Sequence, residues 1–252
     1  MNQKTTVFKV ARKTMRPPTA EEIAAEARQF FGSPEGPAHR EQYGKNYWET
    51  RSHRLGRNVS LYGDLRYDHW VLVESNPQIV WYTERPTRFR VRMVPLRERV
   101  AWRAVFCRFD MVVQWRDYSI ECRRILDERL TASDPDRERL IEAEREWCEA
   151  KGFRYLLLTA DDIERQREFI KCWKTILPRL PEATPEYDED LLRVVARAGE
   201  CTLDDLCQLF SRIERNRVRA CVFCLLHAGH LVSPNLHQEV LFSTIIVRIN
   251  HE

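Results

Sequence analysis

The sequence lacks any apolar run of the roughly 20 residues that a membrane-spanning helix needs. Its N-terminal segment is basic and contains no apolar stretch of the kind found in signal peptides. Internal repeats and low-complexity tracts are also missing from it. These absences argue against a membrane protein and against an exported one. We therefore expect a soluble cytoplasmic protein without a membrane partner.

A cysteine framework is also missing, although the chain contains eight cysteines. They are scattered through segments that look regular, so we expect reduced thiols that act as small core residues. Cys221, Cys224, His227 and His230 are spaced like zinc ligands, but they fall on or just after one predicted helix. One helix face cannot surround an ion tetrahedrally, so we predict a buried helix face and no metal there.

Positive charge is unevenly distributed, although the net charge is only +3. Lysine and arginine outnumber aspartate and glutamate by eleven to six in residues 1–60 and by eleven to five in residues 84–124. Aromatic residues lie between the basic ones, as expected for a surface that binds a phosphate backbone. An arginine-rich, solvated sheet face would give the same pattern, and charge alone does not separate the two.

Apolar periodicity predicts an α/β fold with a mixed sheet flanked by helices. Thr19 and Glu22 form a capping box that begins a helix ending near Phe31, whereas residues 33–58 lack periodicity and are expected to be irregular. We expect the acidic side of the helix at 134–151 (Glu138, Glu142, Glu144, Glu146 and Glu149) to be a solvated face. The predicted elements are a helix at 61–75, strands at 79–83, 88–94, 100–115 and 118–126, a helix at 134–151, a strand at 153–158 and a helix at 160–175.

Pro178, Pro181 and Pro185 mark a domain boundary. After it, the pattern predicts three helices, at 187–198, 203–211 and 213–228, and then two strands within 231–249. Three helices followed by a β-hairpin is the order of a winged-helix domain. The predicted division is a basic arm and helix at 1–50, an α/β domain at 51–178, a linker at 179–186 and a winged-helix domain at 187–252.

Three segments carry a resemblance to a known family: LYGDLRYDHWVLVESNPQIVWYTERP (61–86), FDMVV (109–113) and RERLIEAEREWCEAKGFRYLLLTADDI (137–163). With the winged-helix pattern, they make residues 50–250 similar to the TnsA family, the endonuclease subunits of heteromeric transposases. The resemblance implies a restriction-endonuclease-like domain followed by a winged helix. It also implies a magnesium-dependent nuclease that cuts one strand at a transposon end, while a partner transposase cuts and joins the other.

The family's site requires a glutamate on the first helix, an aspartate on the central strand, and a Glu/Gln-x-Lys element, since carboxylates hold Mg²⁺ against the scissile phosphate. The glutamate position falls on Arg66, and Asp110 matches the aspartate. The third element aligns either with Arg124-Ile125-Leu126 or with Glu121-Cys122-Arg123, and both alignments stay open. Asp64 and Asp68 are expected to face away from residue 66, with Asp64 capping the helix.

An arginine at a metal-ligand position predicts an inactivated site that binds phosphate through guanidinium groups instead of through a metal. We expect Asp110 and Glu121 to be remnants of the catalytic set, with Asp110 paired to an arginine and with no cofactor. Mg²⁺ would be the cofactor only if the site were active. The candidate DNA-binding residues are Arg66, Arg88, Arg90, Arg92, Arg123 and Arg124.

The resemblance also implies protein partners: a transposase catalytic subunit, an AAA+ ATPase regulator and, as a further candidate, an active TnsA-like subunit. We expect the winged helix to dock the ATPase through Leu209, Phe210, Arg215 and Arg219, because Glu214 interrupts the basic start of its third helix. Two other functions remain open. One is an active endonuclease that uses Asp110, Glu121 and Asp64, and the other is a winged-helix transcription regulator with an α/β sensor domain.

Overall fold

A computed structural model describes residues 17–32, 34, 46–93, 103–126, 135–238 and 242–251. The helices are α1 (Ala20–Phe31), α2 (Asp64–Glu74), α3 (Pro135–Lys151), α4 (Ala160–Glu164), α5 (Arg167–Ile176), α6 (Asp188–Ala198), α7 (Leu203–Leu209) and α8 (Arg215–Ala228). The strands are β1 (Tyr47–Arg51), β2 (Asn58–Tyr62), β3 (Ile79–Glu84), β4 (Phe89–Met93), β5 (Arg103–Cys107), β6 (Met111–Trp115), β7 (Ile120–Leu126), β8 (Arg154–Thr159), β9 (Cys201–Thr202), β10 (Leu231–Val232) and β11 (Ile246–Ile249).

The central sheet has four strands in the order β3-β6-β7-β8. Its first two pairings are antiparallel and the β7–β8 pairing is parallel, so the sheet is mixed. Alternate residues of β6 face opposite sides: Met111 and Val113 pack with α2, α5 and the C-terminal helices, whereas Val112 packs with α1 and α3. The predicted α/β class with a mixed sheet flanked by helices is therefore confirmed.

Several predicted boundaries were wrong, and most of the errors occur around a β-hairpin. Residues 47–51 are not irregular: β1 pairs antiparallel with β2, and Val59 and Leu61 of β2 point into the core. The helix expected from Leu61 begins only at Asp64, after Gly63 turns the chain at a φ of 96°. Gly63 is the N-cap, and the Asp64 carboxylate instead accepts hydrogen bonds from Asn46 Nδ2 and Trp48 Nε1.

Two further segments predicted as single elements are interrupted. In the run predicted as one strand over 100–115, residues 108–110 separate β5 from β6, while residues 100–102 lie outside the described residues. The helix predicted over 160–175 is divided into α4 and α5, with a break at Arg165 and Gln166. A capping box formed by Thr159 and Asp162 begins α4.

The C-terminal part contains α6, β9, α7, α8, β10 and β11, and its strands form an antiparallel sheet in the order β10-β11-β9. The proline-rich segment expected to be a linker forms two 3₁₀ helices, Leu177–Glu182 and Pro185–Tyr187, and Leu180 is buried. One hydrophobic core runs from Val59 of β2 to Val247 of β11. The C-terminal helices therefore share one core with the central sheet and α2.

The cysteine pair of α8 contacts this proline-rich segment. Cys221 Sγ donates to the Thr184 carbonyl at 3.4 Å, and Cys224 Sγ donates to the Leu180 carbonyl at the same distance. Burial raises the pKa of both thiols, to about 11 for Cys224. Both thiols are therefore protonated near neutral pH and pack as part of a buried helix face.

The acidic side of α3 is not entirely solvated, contrary to our expectation. Glu144 is fully buried, whereas Glu138, Glu142, Glu146 and Glu149 are exposed. The Glu144 carboxylate is paired with Arg124 of β7 and accepts a hydrogen bond from the Tyr155 hydroxyl at 3.0 Å. A buried acid is stable when it is paired in this way.

Across the residues that the structure describes, no helix is both long and apolar enough to cross a bilayer.

Gly229, which follows α8, is expected to be intolerant of alanine. Its φ is +80°, and a Cβ there would lie 2.7 Å from Cβ of Pro77. The left-handed backbone costs an alanine about 1–2 kcal/mol, and the overlap adds about 1–3 kcal/mol. Gly199→Ala is the matched control, since Gly199 has a φ of +75° but nothing within 4 Å. Urea unfolding should rank Gly229→Ala as the less stable variant, and equal losses would contradict this packing.

Candidate functional site

A cavity of about 400 Å³ lies where β6 begins and where β3 and β7 end. We call it the arginine cavity, because five arginines line it together with two acids, Glu84 and Asp110. The five are Arg66, Arg85, Arg88, Arg108 and Arg124. They come from α2, from the segments that follow β3 and β5, and from β7. A cavity with this lining concentrates positive potential at one end of the sheet.

Asp110 and Arg66 form an ion pair inside the cavity. Arg66 Nε donates to Asp110 Oδ1 at 2.7 Å, and the backbone N–H of Ile125 donates to Oδ2 at 2.8 Å. Burial raises the pKa of Asp110, but the charges of Arg66 and Arg124 and the Ile125 hydrogen bond outweigh it and leave the pKa below its usual value. Asp110 is therefore ionised and satisfied by an arginine, as the sequence led us to expect.

The position of Asp110 allows the two alignments of the Glu/Gln-x-Lys element to be compared. Asp110 lies beside Arg124 and Ile125, whereas Glu121 pairs with Val113, three residues further along β6. The backbone N–H of Asp110 also donates to the Arg123 carbonyl at 2.9 Å. The two alignments are therefore distinguished by the carboxylate of Asp110, which interacts with Arg124 and Ile125. This favours the alignment with Arg124-Ile125-Leu126. It places an arginine and a leucine where the family has an acid or amide and a lysine.

Glu121 and Arg123 form a separate buried group next to α2. Arg123 Nε donates to Glu121 Oε1 at 2.7 Å, and its Nη1 lies 3.1 Å from His69 Nε2. Burial and the charge of Arg123 lower the pKa of His69 to about 3, so this imidazole is neutral and its Nε2 accepts the hydrogen bond. Neither Glu121 nor Arg123 is among the residues that line the arginine cavity.

Arg85 lines the cavity and carries two buried donors that have no partner in the described part of the chain. Its Nε and Nη1 atoms are buried and have no hydrogen-bond partner among the described residues. Its guanidinium carbon lies 4.9 Å from the centre of the Tyr62 ring, and its backbone has a φ of 48°, which is uncommon outside glycine. Buried donors without partners cost free energy unless an acceptor arrives, so Arg85 is suited to hold an anion.

The cavity does not fit Mg²⁺, which prefers several oxygen ligands in near-octahedral geometry. Both oxygens of Asp110 already accept hydrogen bonds, and both oxygens of Glu84 accept from Arg57, at 2.8 and 2.7 Å. Arg66 and Asp110 both line the cavity, so a metal at Asp110 Oδ1 would compete with the guanidinium that donates to this oxygen. The described part of the chain contains no group of three or more His, Cys, Asp or Glu residues suited to a metal.

The candidate DNA-binding residues divide into three sets. Arg66, Arg88 and Arg124 line the cavity, and Arg90 lies near it with its guanidinium carbon 4.5 Å from the centre of the Phe106 ring. Arg123 is buried elsewhere, and the side chain of Arg92 lies outside the described part. Asp64 and Asp68 are also away from the cavity, Asp68 being paired with Lys174.

Sequence reasoning missed Arg85, Arg108 and the rings of Tyr62 and Phe106. Arg85 stands before Pro86, and a residue before proline is expected to be extended, so no signal in the sequence predicted its φ of 48°. No family model matches this chain, and no curated protein is significantly similar to it. The likeness to the TnsA family therefore depends on the motifs described above.

The residues predicted to dock a protein lie around the end of α7 and the start of α8. Leu209 is 66% exposed, and Phe210 is half-buried. Arg215 pairs with Asp204 at 2.9 Å, and its side chain stays 56% exposed. Arg219 is half-buried beside Cys207. The surface therefore combines the exposed apolar side chain of Leu209 with arginines that stay exposed at the start of α8.

Proposed function

We propose that this protein is a TnsA-like subunit of a DNA transposition complex that binds DNA in the arginine cavity and does not cut it. The strongest support for this proposal is the Arg66–Asp110 ion pair, because it puts a guanidinium where a catalytic metal would bind. A guanidinium binds phosphate through paired hydrogen bonds and keeps its charge at any physiological pH. The unsatisfied donors of Arg85 supply a second phosphate contact.

Fold features support this assignment. A mixed sheet with Asp110 next to the end of β7 agrees with a restriction-endonuclease-like domain. The order α6-β9-α7-α8-β10-β11, with its small antiparallel sheet, agrees with a winged helix. The partners proposed on this basis are DNA, the transposase catalytic subunit, the AAA+ ATPase regulator and an active TnsA-like subunit.

A strand-scission assay tests the proposal. A labelled transposon-end duplex, incubated with the protein and Mg²⁺ and with or without the partner transposase, should acquire no nick that depends on this subunit. Arg66→Glu should not restore cleavage, because the lysine position of the aligned element is Leu126. If the wild type nicks the duplex and Asp110→Ala abolishes nicking, the active endonuclease is the correct function instead.

Docking of the ATPase regulator is tested by Leu209→Arg. A charge on this exposed apolar residue should reduce capture of the regulator about 30-fold or more, since interface anchors are worth about 2 kcal/mol or more. DNA binding should not change, because Leu209 does not line the arginine cavity. A point variant is preferable to deleting residues 186–252, because the deletion would remove Leu191, Val195 and Val247 from the shared core. Loss of DNA binding with retained capture would contradict the assignment.

A further inference from the structure

Three aromatic rings border the arginine cavity, of which Tyr62 is half-buried and the other two are exposed. Tyr62 and Phe106 both line it, and Tyr47 packs against Tyr62 with ring centres 5.2 Å apart. Tyr47 is 53% exposed and Phe106 is 60% exposed. We call these three residues the aromatic rim. Large rings left exposed next to a charged cavity are typical of a binding surface rather than of a core.

Neighbouring strands hold the rim residues in place. Tyr47 is opposite Tyr62 in the β1–β2 hairpin, and its hydroxyl lies 3.2 Å from Ser60 Oγ. Phe106 is opposite Arg90 in the β4–β5 hairpin. Rings fixed in this way lose little conformational entropy when a flat ligand stacks on them. The rim is therefore preorganised for planar groups.

A guanidinium group lies over one ring in each of the two hairpins that form the rim. Arg85 lies over Tyr62, with its guanidinium carbon 4.9 Å from the ring centre, and Arg90 lies over Phe106 at 4.5 Å. Alternating arginines and exposed aromatic rings allow a strand to place its phosphates on the charges and its bases on the rings. A duplex cannot use the rings in this way, because its bases are already stacked and paired and present only their edges.

From this arrangement we infer that the cavity and its aromatic rim bind single-stranded DNA. One phosphate lies in the arginine cavity, and the adjacent bases stack on Tyr47, Tyr62 and Phe106. The inference rests on the proposed function and specifies its substrate: unpaired strand instead of intact duplex. Surplus positive charge in the cavity complements the phosphates, and the exposed rings complement the bases.

Equilibrium binding of three labelled DNA probes to the full chain, measured in EDTA, tests the inference. The probes are a short oligothymidylate, the same strand with consecutive abasic sites, and a hairpin duplex of equal length. The wild type should bind the intact strand more tightly than either of the others. The abasic strand separates stacking from charge, because it keeps every phosphate and lacks only the bases.

Variants locate the stacking. Tyr47→Ala and Phe106→Ala should each weaken binding of the intact strand roughly 5-fold to 150-fold, the range for loss of one stacked base, and leave the abasic strand unaffected. Tyr47→Phe keeps the ring and should behave like the wild type. Tyr118→Asn removes another exposed tyrosine, in the turn between β6 and β7, and should change nothing; asparagine tolerates the φ of 65° there.

The outcomes are separable. Equal affinity for the intact and abasic strands, or tighter binding of the duplex, overturns the inference but leaves the proposed DNA binding standing. Tighter binding of an oligoribonucleotide of matching sequence overturns DNA as the occupant. If none of the nucleic acids binds, the proposed function itself fails, and this inference fails with it.

Discussion

Replacing Glu74 with alanine is expected to lower the free energy of unfolding by about 3–5 kcal/mol, the range for breaking a buried charged group's contacts. Glu74 is fully buried, and its carboxylate accepts four hydrogen bonds. The donors are the Ser52 hydroxyl at 2.9 Å, the backbone N–H groups of His53 and Arg54 at 2.8 and 3.0 Å, and the Tyr82 hydroxyl at 2.7 Å. Alanine would leave all four donors without this acceptor.

The position of Glu74 explains why the effect should be global. The group joins the β1–β2 hairpin to α2 and β3, and His227 Nε2 of α8 lies 3.5 Å from Glu74 Oε1. Glu142→Ala is the matched control, an exposed glutamate on α3 whose loss should change stability by no more than about 0.5 kcal/mol. Urea denaturation of both variants checks the prediction. A loss below about 1 kcal/mol for Glu74→Ala would contradict the hydrogen-bond assignment.

Glu74 also predicts a pH dependence. Burial raises its pKa, but contacts with His227, Tyr82 and the Arg54 N–H outweigh burial and lower the pKa from 4.5 to about 2. A carboxyl with a lowered folded-state pKa stabilises the fold above its unfolded pKa, and this stabilisation is lost as the pH falls towards the folded pKa. The wild type should therefore lose about 3 kcal/mol between pH 4.5 and pH 2 through this group. Glu74→Gln should remove that part of the acid sensitivity.

The second large effect is expected at Glu144. Glu144→Gln removes the negative charge that faces the Arg124 guanidinium and should lower the free energy of unfolding by about 3–5 kcal/mol. Burial opposes the charge on Arg124, but Glu144 and Asp110 outweigh it and raise the pKa of Arg124 above its usual value. An arginine stays protonated in proteins even without such a partner, so the guanidinium cannot relieve the loss of Glu144 by deprotonating.

A double-mutant cycle separates the pair from its surroundings. Glu144→Leu, Arg124→Leu and the double variant should show an interaction energy of about 2–3 kcal/mol, with the double variant more stable than the sum of the single changes implies. Additive losses would mean that the two side chains do not stabilise each other. Because Arg124 lines the arginine cavity, Glu144→Gln should not weaken DNA binding even as it lowers stability.

Local signals in the sequence located many elements correctly. The Thr19–Glu22 box begins α1, Thr159 caps α4, and the ends of α6 and α8 lie at the glycines that follow them. These signals act within a few residues, so a sequence contains them directly. Because the period of a strand is two, Glu121 and Arg123 lie on one face of β7, and their side chains are hydrogen-bonded there.

The errors came from features that depend on distant residues. Glu144 looks like its solvated neighbours on α3, and only the approach of Arg124 and Tyr155 makes its burial favourable. The positive φ of Arg85 and the exposure of Tyr47 depend on the loop path and on hairpin pairing, for which residues 33–58 gave no periodic signal. The Arg66–Asp110 contact spans 44 residues and was expected only through the family resemblance.

In the proposed function, guanidinium groups and not a metal hold DNA phosphate in the arginine cavity. The most direct test is the affinity of the full chain for a labelled single strand as a function of salt concentration in EDTA, for the wild type and Arg66→Ala. The wild type should bind without a metal, and Arg66→Ala should bind more weakly with a salt slope shallower by about one unit. Binding that disappears in EDTA, returns with Mg²⁺ and does not differ between the two proteins would contradict the account.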